Sequence, residues 1–208
     1  MPVINDSNST SDDDEMLSNY KSAISNKKQC VFVGYSLSDF YVDESISKNY
    51  MLLVALTHGR VIRCSIKQYN ESNSSKNDKD INLNVTKILK NFIIGLTNTL
   101  KTTDPSLDKI IIKQNINLEN SKFLRKIELN GFELVFSPSN KLLADPTSHF
   151  IQLIYTLSLK STSLNKDNDN DDKDFQSCIQ KLCESIEKDQ LEFLIDNIES
   201  WLRFTNTC

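Results

Sequence analysis

Glycine is scarce in this sequence: four in 208 residues, at positions 34, 59, 95 and 131. A loop that cradles phosphate with successive backbone N–H groups needs glycines close together, so no nucleotide-binding loop is expected. Histidine is scarcer still, with only His58 and His149. Neither is accompanied by a nucleophile elbow or a paired-carboxylate motif, and the chain reads as a protein without catalytic residues, not an enzyme. There is no run of eighteen apolar residues and no apolar segment behind a basic N-terminus, so neither a membrane span nor a secretory leader is expected. The five cysteines (Cys30, Cys64, Cys178, Cys183 and Cys208) are odd in number and lack a disulfide-framework spacing. Cys30 and Cys64 lie in apolar strand-like runs, as small buried hydrophobes in a reducing compartment. At a formal charge of −4, no basic cluster exceeds Lys27-Lys28 or the spread Lys122, Arg125 and Lys126, which is not a strong nucleic-acid footprint.

Metal chemistry is excluded on similar grounds. The tract Asp167-Asn168-Asp169-Asn170-Asp171 resembles the start of a calcium loop, but the sharp-turn glycine position holds Asp172 and the bidentate glutamate position holds Cys178. Cys178 and Cys183, five residues apart on a helix, share no face that would complete a tetrahedral site. No metal, cofactor or small-molecule substrate is expected.

What is present is a set of short apolar segments between polar tracts. Residues 1–28, with the run Asp12-Asp13-Asp14-Glu15, read as a disordered acidic tail with one weak helical turn near Met16–Ile24. CVFVGY (30–35) and DFYV (39–42) predict a hairpin. YMLLVAL (50–56) and VIRCSI (61–66) predict a second, turning at Gly59 and alternating Val61, Arg63, Ser65 against Ile62, Cys64, Ile66. Residues 70–83 form a polar loop, and 84–100 an amphipathic helix with Asn84 as N-cap. KIIIKQNI (109–116), FLRKIEL (123–129) and FELVFS (132–137) predict strands, the last two paired antiparallel across Asn130-Gly131. Asp145-Pro146 opens a helix, because Asp caps the orphan N–H groups and Pro has none to lose. A polar insert at 161–174 interrupts it. A helix over 175–204, about 45 Å long, then carries two apolar runs (175/179/182/186 and 191/194/195/198/202) with a phase break between them.

These segments resemble the head-and-stalk scaffolds of non-homologous end joining, the XLF (Cernunnos, Nej) family and the paralogue that carries DNA ligase IV. YMLLVALTHGRVIRCSI (50–66) is similar to that family's central strand, Leu-Thr-x-Gly turn and following strand. The helix 84–100 occupies the place of its helical insertion, and ELNGFELVF (128–136) resembles its Glu-Leu-x-Gly-apolar hairpin. DPTSHFIQLIYTLSL resembles the root of its stalk, and CESIEKDQLEFLID (183–196) a stretch further down.

The resemblance implies an α+β fold: an antiparallel β-sandwich head with an inserted helix (29–144), then a helical stalk (145–208). It implies a nuclear, non-catalytic scaffold of double-strand break repair, bridging DNA ends and supporting DNA ligase IV through its carrier. Glu128, Leu129 and Phe132 would meet the ligase-carrying paralogue, and Phe132→Asp would abolish that contact without unfolding the chain. A homodimer would form through Phe150, Ile154, Leu157, Leu182, Ile186, Leu191, Leu194 and Ile198. Ku and DNA are further partners of the family, although the basic tail that reaches Ku has no counterpart before Cys208. The alternative from another class is a proteasome-assembly chaperone, which would have no use for helices beyond Asp145. A third is a centriolar or ciliary head-and-stalk protein.

Overall fold

The computed structural model describes residues 9–43, 46–68, 78–113, 118, 121–138, 145–162 and 172–204. Its elements run α1 (Ser9–Ile24), β1 (Cys30–Asp43), β2 (Ile46–Thr57), β3 (Arg60–Gln68), α2 (Asp78–Thr103), β4 (Lys109–Lys113), α3 (Ser121–Leu129), β5 (Glu133–Ser137), α4 (Pro146–Thr162), α5 (Asp172–Ser185), α6 (Lys188–Asp196) and α7 (Ile198–Phe204).

One five-stranded sheet, in the order β3-β2-β1-β4-β5, carries helices on both faces. β1, β2 and β3 form an antiparallel meander, whereas β4 lies parallel to β1 and β5 parallel to β4. Period-2 alternation divides the apolar residues between two cores. Cys30, Phe32, Tyr50, Leu52, Val54, Leu56, Ile111 and Val135 face α1 and α4–α7. Val31, Val33, Met51, Leu53, Ala55, Ile110 and Ile112 face α2 and α3. Strands buried on both faces read as continuous apolar runs, which is why MLLVAL and KIIIK carry so few polar residues.

The antiparallel sandwich with a stalk is therefore corrected to a mixed sheet between two helical layers. FLRKIEL is the decisive segment. It forms α3, burying Phe123 and Ile127 four apart and exposing Lys122, Arg125 and Lys126. Parallel neighbours need a crossover rather than a hairpin, and α3 supplies it between β4 and β5. Asn130-Gly131 closes a helix instead of turning a hairpin. The Gly131 N–H donates to the Glu128 carbonyl (2.8 Å) and the Phe132 N–H to the Ile127 carbonyl (3.1 Å). With Gly131 at φ +85°, this is a Schellman cap, completed by the apolar pair Ile127 and Phe132 in the same core.

Three further expectations change. β1 is a single long strand, with Leu37 and Ser38 paired to Met51 and Tyr50 where a turn was expected. A register shift at Ala55/Leu56 breaks the alternation of β3, so Val61 packs with the α4–α7 core and Ile62 with the other, while Arg63 and Cys64 diverge as expected. The acidic tract begins α1, where negative charge suits a helix N-terminus; Tyr20, Ala23 and Ile24 of that helix are buried in the core. The helix assigned to 84–100 starts earlier, at Asp78, and the calcium-like tract 167–171 lies outside the described residues.

The C-terminal region is not a stalk. α4 packs on β1 and β2, α5 on β3, and α6 on β2 and β3. The phase break ends α5 at Ser185, and α6 restarts behind a capping box in which Glu187 and Gln190 satisfy each other's backbone groups.

Candidate functional site

In an open sheet with parallel strands, ligands settle beyond the strands' carboxyl ends, where the connections diverge. Here that place lies where β1 continues toward β2 on one side and β4 leads to α3 and β5 on the other. Gly34 of β1 meets the first turn of α4 there. A Cβ at position 34 would stand 2.0 Å from Thr147 Oγ1, so only glycine permits this approach of helix to strand. Asp145 holds that turn. One carboxylate oxygen accepts from the Thr147 N–H (2.9 Å) and hydroxyl (2.6 Å), and the other from the Ser148 hydroxyl (2.7 Å). Tyr20 of α1 is buried in one core with Phe150 and Ile151 of α4, and its phenol is pushed up in pKa by burial and then by the negative charge of Asp145.

Beside this contact opens a cleft of about 310 Å³, lined by Tyr35, Ser36, Ser148, Ile151, Gln152 and Tyr155. Its walls are aromatic and uncharged, with hydroxyl and amide groups as donors and acceptors. Such a surface can stack a planar group and bond its edges.

The residues expected to bind partners are dispersed. Glu128 is exposed near the end of α3, and Leu129 is 68% exposed with its carbonyl accepting from Lys101 Nζ (2.9 Å). Phe132 is only 4% exposed, so it anchors the core and cannot dock on a partner. Phe150, Ile154, Leu191 and Ile198 are buried against the chain's own sheet, Leu182, Ile186 and Leu194 pack at the margin of that core, and Leu157 is half-buried. The apolar stripe read as a dimer seam is thus used within the chain.

Two clusters lie elsewhere. At the β2–β3 turn, His58 Nε2 meets Asp196 Oδ1 (3.0 Å) and Nδ1 meets Glu192 Oε1 (3.5 Å), with Lys27 Nζ 2.9 Å from Asp196. The carboxylates flank opposite edges of the ring, so they tie α6 to the turn and do not converge on a metal. Cys64 and Cys183 approach to 2.8 Å between their sulfurs. The hydrogen bond to Cys64, then burial, pushes the Cys183 thiol up, and burial pushes Cys30 up to about 12. Held up in this way, Cys30 and Cys183 are poor nucleophiles. His149 lies against Trp201, ring centroids 4.5 Å apart.

No family model matches the sequence, and no curated protein does so significantly. Solved structures do resemble the fold. The catalytic domain of the Mos1 mariner transposase superposes with a TM-score of 0.62 at 14% identity, over 94% of this chain and 89% of that one. The same domain with raltegravir and manganese gives 0.60 at 14% identity, over 94% and 90%. A pre-cleavage Mos1 transpososome gives 0.60 at 13% identity, over 94% of this chain and 60% of that one. At these identities the likeness concerns the fold, the RNase H-like arrangement of those catalytic domains. It overturns the resemblance to end-joining scaffolds, and with it the ligase-carrier and Ku partners and the repair role inferred from that family. The chaperone alternative has no support. The non-catalytic expectation loses its basis too, since the fold matched is that of catalytic domains.

Manganese and magnesium accompany the matched domains, and such ions bind through oxygen donors, carboxylates above all. The described residues here do not fit one. The strand ends and α4 offer Gly34, Tyr35, Lys113, Ser137 and Thr147, and the nearby carboxylate, Asp145, is engaged in capping. Among the described residues no group of three His, Cys, Asp or Glu side chains could hold a metal. Sequence reasoning missed this cleft, although Gly34 inside an apolar strand run was its signal.

Proposed function

We propose that this chain is a DNA-binding domain that takes a DNA strand where β1 runs past the carboxyl end of β4, in the cleft beside α4. The observation that carries the reading is the likeness, over 94% of the chain, to a fold whose solved examples include paired-end complexes and one with the left transposon end. The cleft suits a strand rather than a closed duplex. Tyr35 and Tyr155 offer ring surface for bases, and Ser36, Ser148 and Gln152 offer polar contacts to base edges or sugars. No step is assigned to a metal, because the described donor set does not fit one. Among the described residues no helix is long and apolar enough to cross a membrane, and a nuclear location belongs to this proposal through its DNA ligand.

The test is fluorescence anisotropy of the full chain with labelled single-stranded and duplex DNA at low salt. Binding is expected, with Tyr155→Ala weakening the single-strand complex by at least roughly fivefold, about 1 kcal/mol, the lower end of what a base–aromatic stack contributes. Absence of binding to either form would sink the proposal. Gel analysis of the same mixtures with Mg²⁺ or Mn²⁺ reads any strand cleavage separately from binding.

A further inference from the structure

The two faces of the sheet differ in charge. From Asn84 onward, α2 and α3 carry six cations (Lys87, Lys90, Lys101, Lys122, Arg125 and Lys126) and one carboxylate, Glu128. On the opposite face, the described side chains of α1, α5, α6 and α7 carry seven carboxylates against four cations. The chain as a whole is at −4, so this is a segregation of charge and not an excess of one sign.

The cationic helices are held as one surface. Lys101 Nζ donates to the Leu129 carbonyl (2.9 Å), and Asn130 Nδ2 donates to Thr97 Oγ1 (2.9 Å) and Asn98 Oδ1 (2.7 Å). Lys90 Nζ stands 5.4 Å above the Phe123 ring. Lys87, Lys101, Lys122, Arg125 and Lys126 are exposed. From Lys87 to Lys101 the helix rises about 21 Å, a span of roughly six phosphates along one DNA strand. Arg63 extends the face from β3, lying 5.2 Å from the Phe92 ring centre.

We propose that the α2–α3 face binds the phosphate backbone of DNA and is a second contact surface, separate from the cleft at α4. The inference rests on the DNA-binding reading above. It commits to a polyphosphate backbone because the face presents spaced point charges and, among the described residues of α2 and α3, Leu129 is the one large apolar side chain exposed, so the two helices lack the aromatic anchors of a protein interface. The acidic opposite face repels the same ligand, which fixes which side of the domain meets DNA.

The experiment compares the full-length wild type with Lys122→Glu/Arg125→Glu/Lys126→Glu, using a fluorescein-labelled duplex of about 20 base pairs between about 50 and 200 mM salt. All three residues are exposed, and circular dichroism melting confirms that the variant folds. The expected result is at least a tenfold loss of affinity, with the slope of log K against log salt shallower by roughly 2 to 3. Lys87→Glu/Lys101→Glu on α2 gives a second, independent reading in the same direction. Folded variants that bind as tightly as wild type, with the same salt slope, overturn this inference and leave the cleft reading standing. A wild type that does not bind DNA removes both.

Discussion

The face bearing α2 and α3 and the face bearing α1 and α4–α7 share one sheet but are built on different terms. Alternate residues of the same strands feed both cores, so Val31 and Val33 serve one while Cys30 and Phe32 serve the other. The α2–α3 side is two helices with a cationic exterior. Among the described residues the other side has α1 and α4–α7 with an acidic exterior, and it holds the close thiols, the His58 cluster and the Asp145 cap. Interior burial is thus nearly symmetric across the sheet while exterior chemistry is not. The comparison teaches that the difference in charge lies in the helices' outer rows, while the strands dictate where those rows sit.

The largest expected effect comes from Phe132→Asp on the α2–α3 side. A surface anchor would tolerate this change, as the hairpin reading implied. Phe132 is instead the apolar residue after the α3 cap, packed with Ile127. Removing such a ring costs about 3–5 kcal/mol, and a carboxylate in its place adds the cost of an unpaired buried charge. Thermal and urea melts should show a chain that is unfolded or grossly destabilised, and a wild-type melt would restore the exposed-hairpin picture.

That residue also marks where the sequence was legible. Strands 30–35, 50–56, 61–66, 109–113 and 133–137 declare themselves through β-branched, apolar content, and the 3.6-residue period of 84–100 and the Asp145-Pro146 start declare two helices. FLRKIEL does not. Over seven residues, Phe123, Ile127 and Leu129 would share one face of a strand, while Phe123 and Ile127 also fit a helix, so periodicity alone cannot decide. Reading it as a strand removes the crossover that α3 supplies between β4 and β5, makes the pair antiparallel, and turns a three-layer fold into a sandwich. The family resemblance inherited that error. Pairing direction depends on which segments cross over, a property of the whole chain rather than of any window. The cleft was hidden for the same reason: Gly34 and Thr147 are 113 positions apart in sequence and meet only once α4 has docked.

A smaller effect is expected from Gly131→Ala, which probes the cap without touching the core. A Cβ there meets nothing within 4 Å, so the cost is conformational alone. Holding an L-residue at φ +85° costs roughly 1–2 kcal/mol. Gly131→Asn should recover part of this, since asparagine tolerates the left-handed region. Equal urea midpoints for glycine and alanine would mean that the cap contributes nothing to the α2–α3 side.

The smallest effect belongs to the acidic face, at Asp196. Its carboxyl is held below the ordinary value of 3.8, first by the hydrogen bond from Lys27 and then, against some desolvation, by His58. Because the folded pKa is depressed, the contribution to stability is fully present above about pH 4 and is lost as pH falls through the lowered value. The side chain is 49% exposed, so solvent screening keeps the stabilisation within about 1 kcal/mol. Asp196→Asn should therefore lower stability by less than about 1 kcal/mol at pH 7 and low salt, and the difference should shrink in high salt and below pH 4. Urea melts across that range read it directly. A penalty that persisted unchanged at pH 3 would assign the role of Asp196 to its shape and hydrogen bonds, and would leave the acidic face without an electrostatic part in holding α6 to the β2–β3 turn.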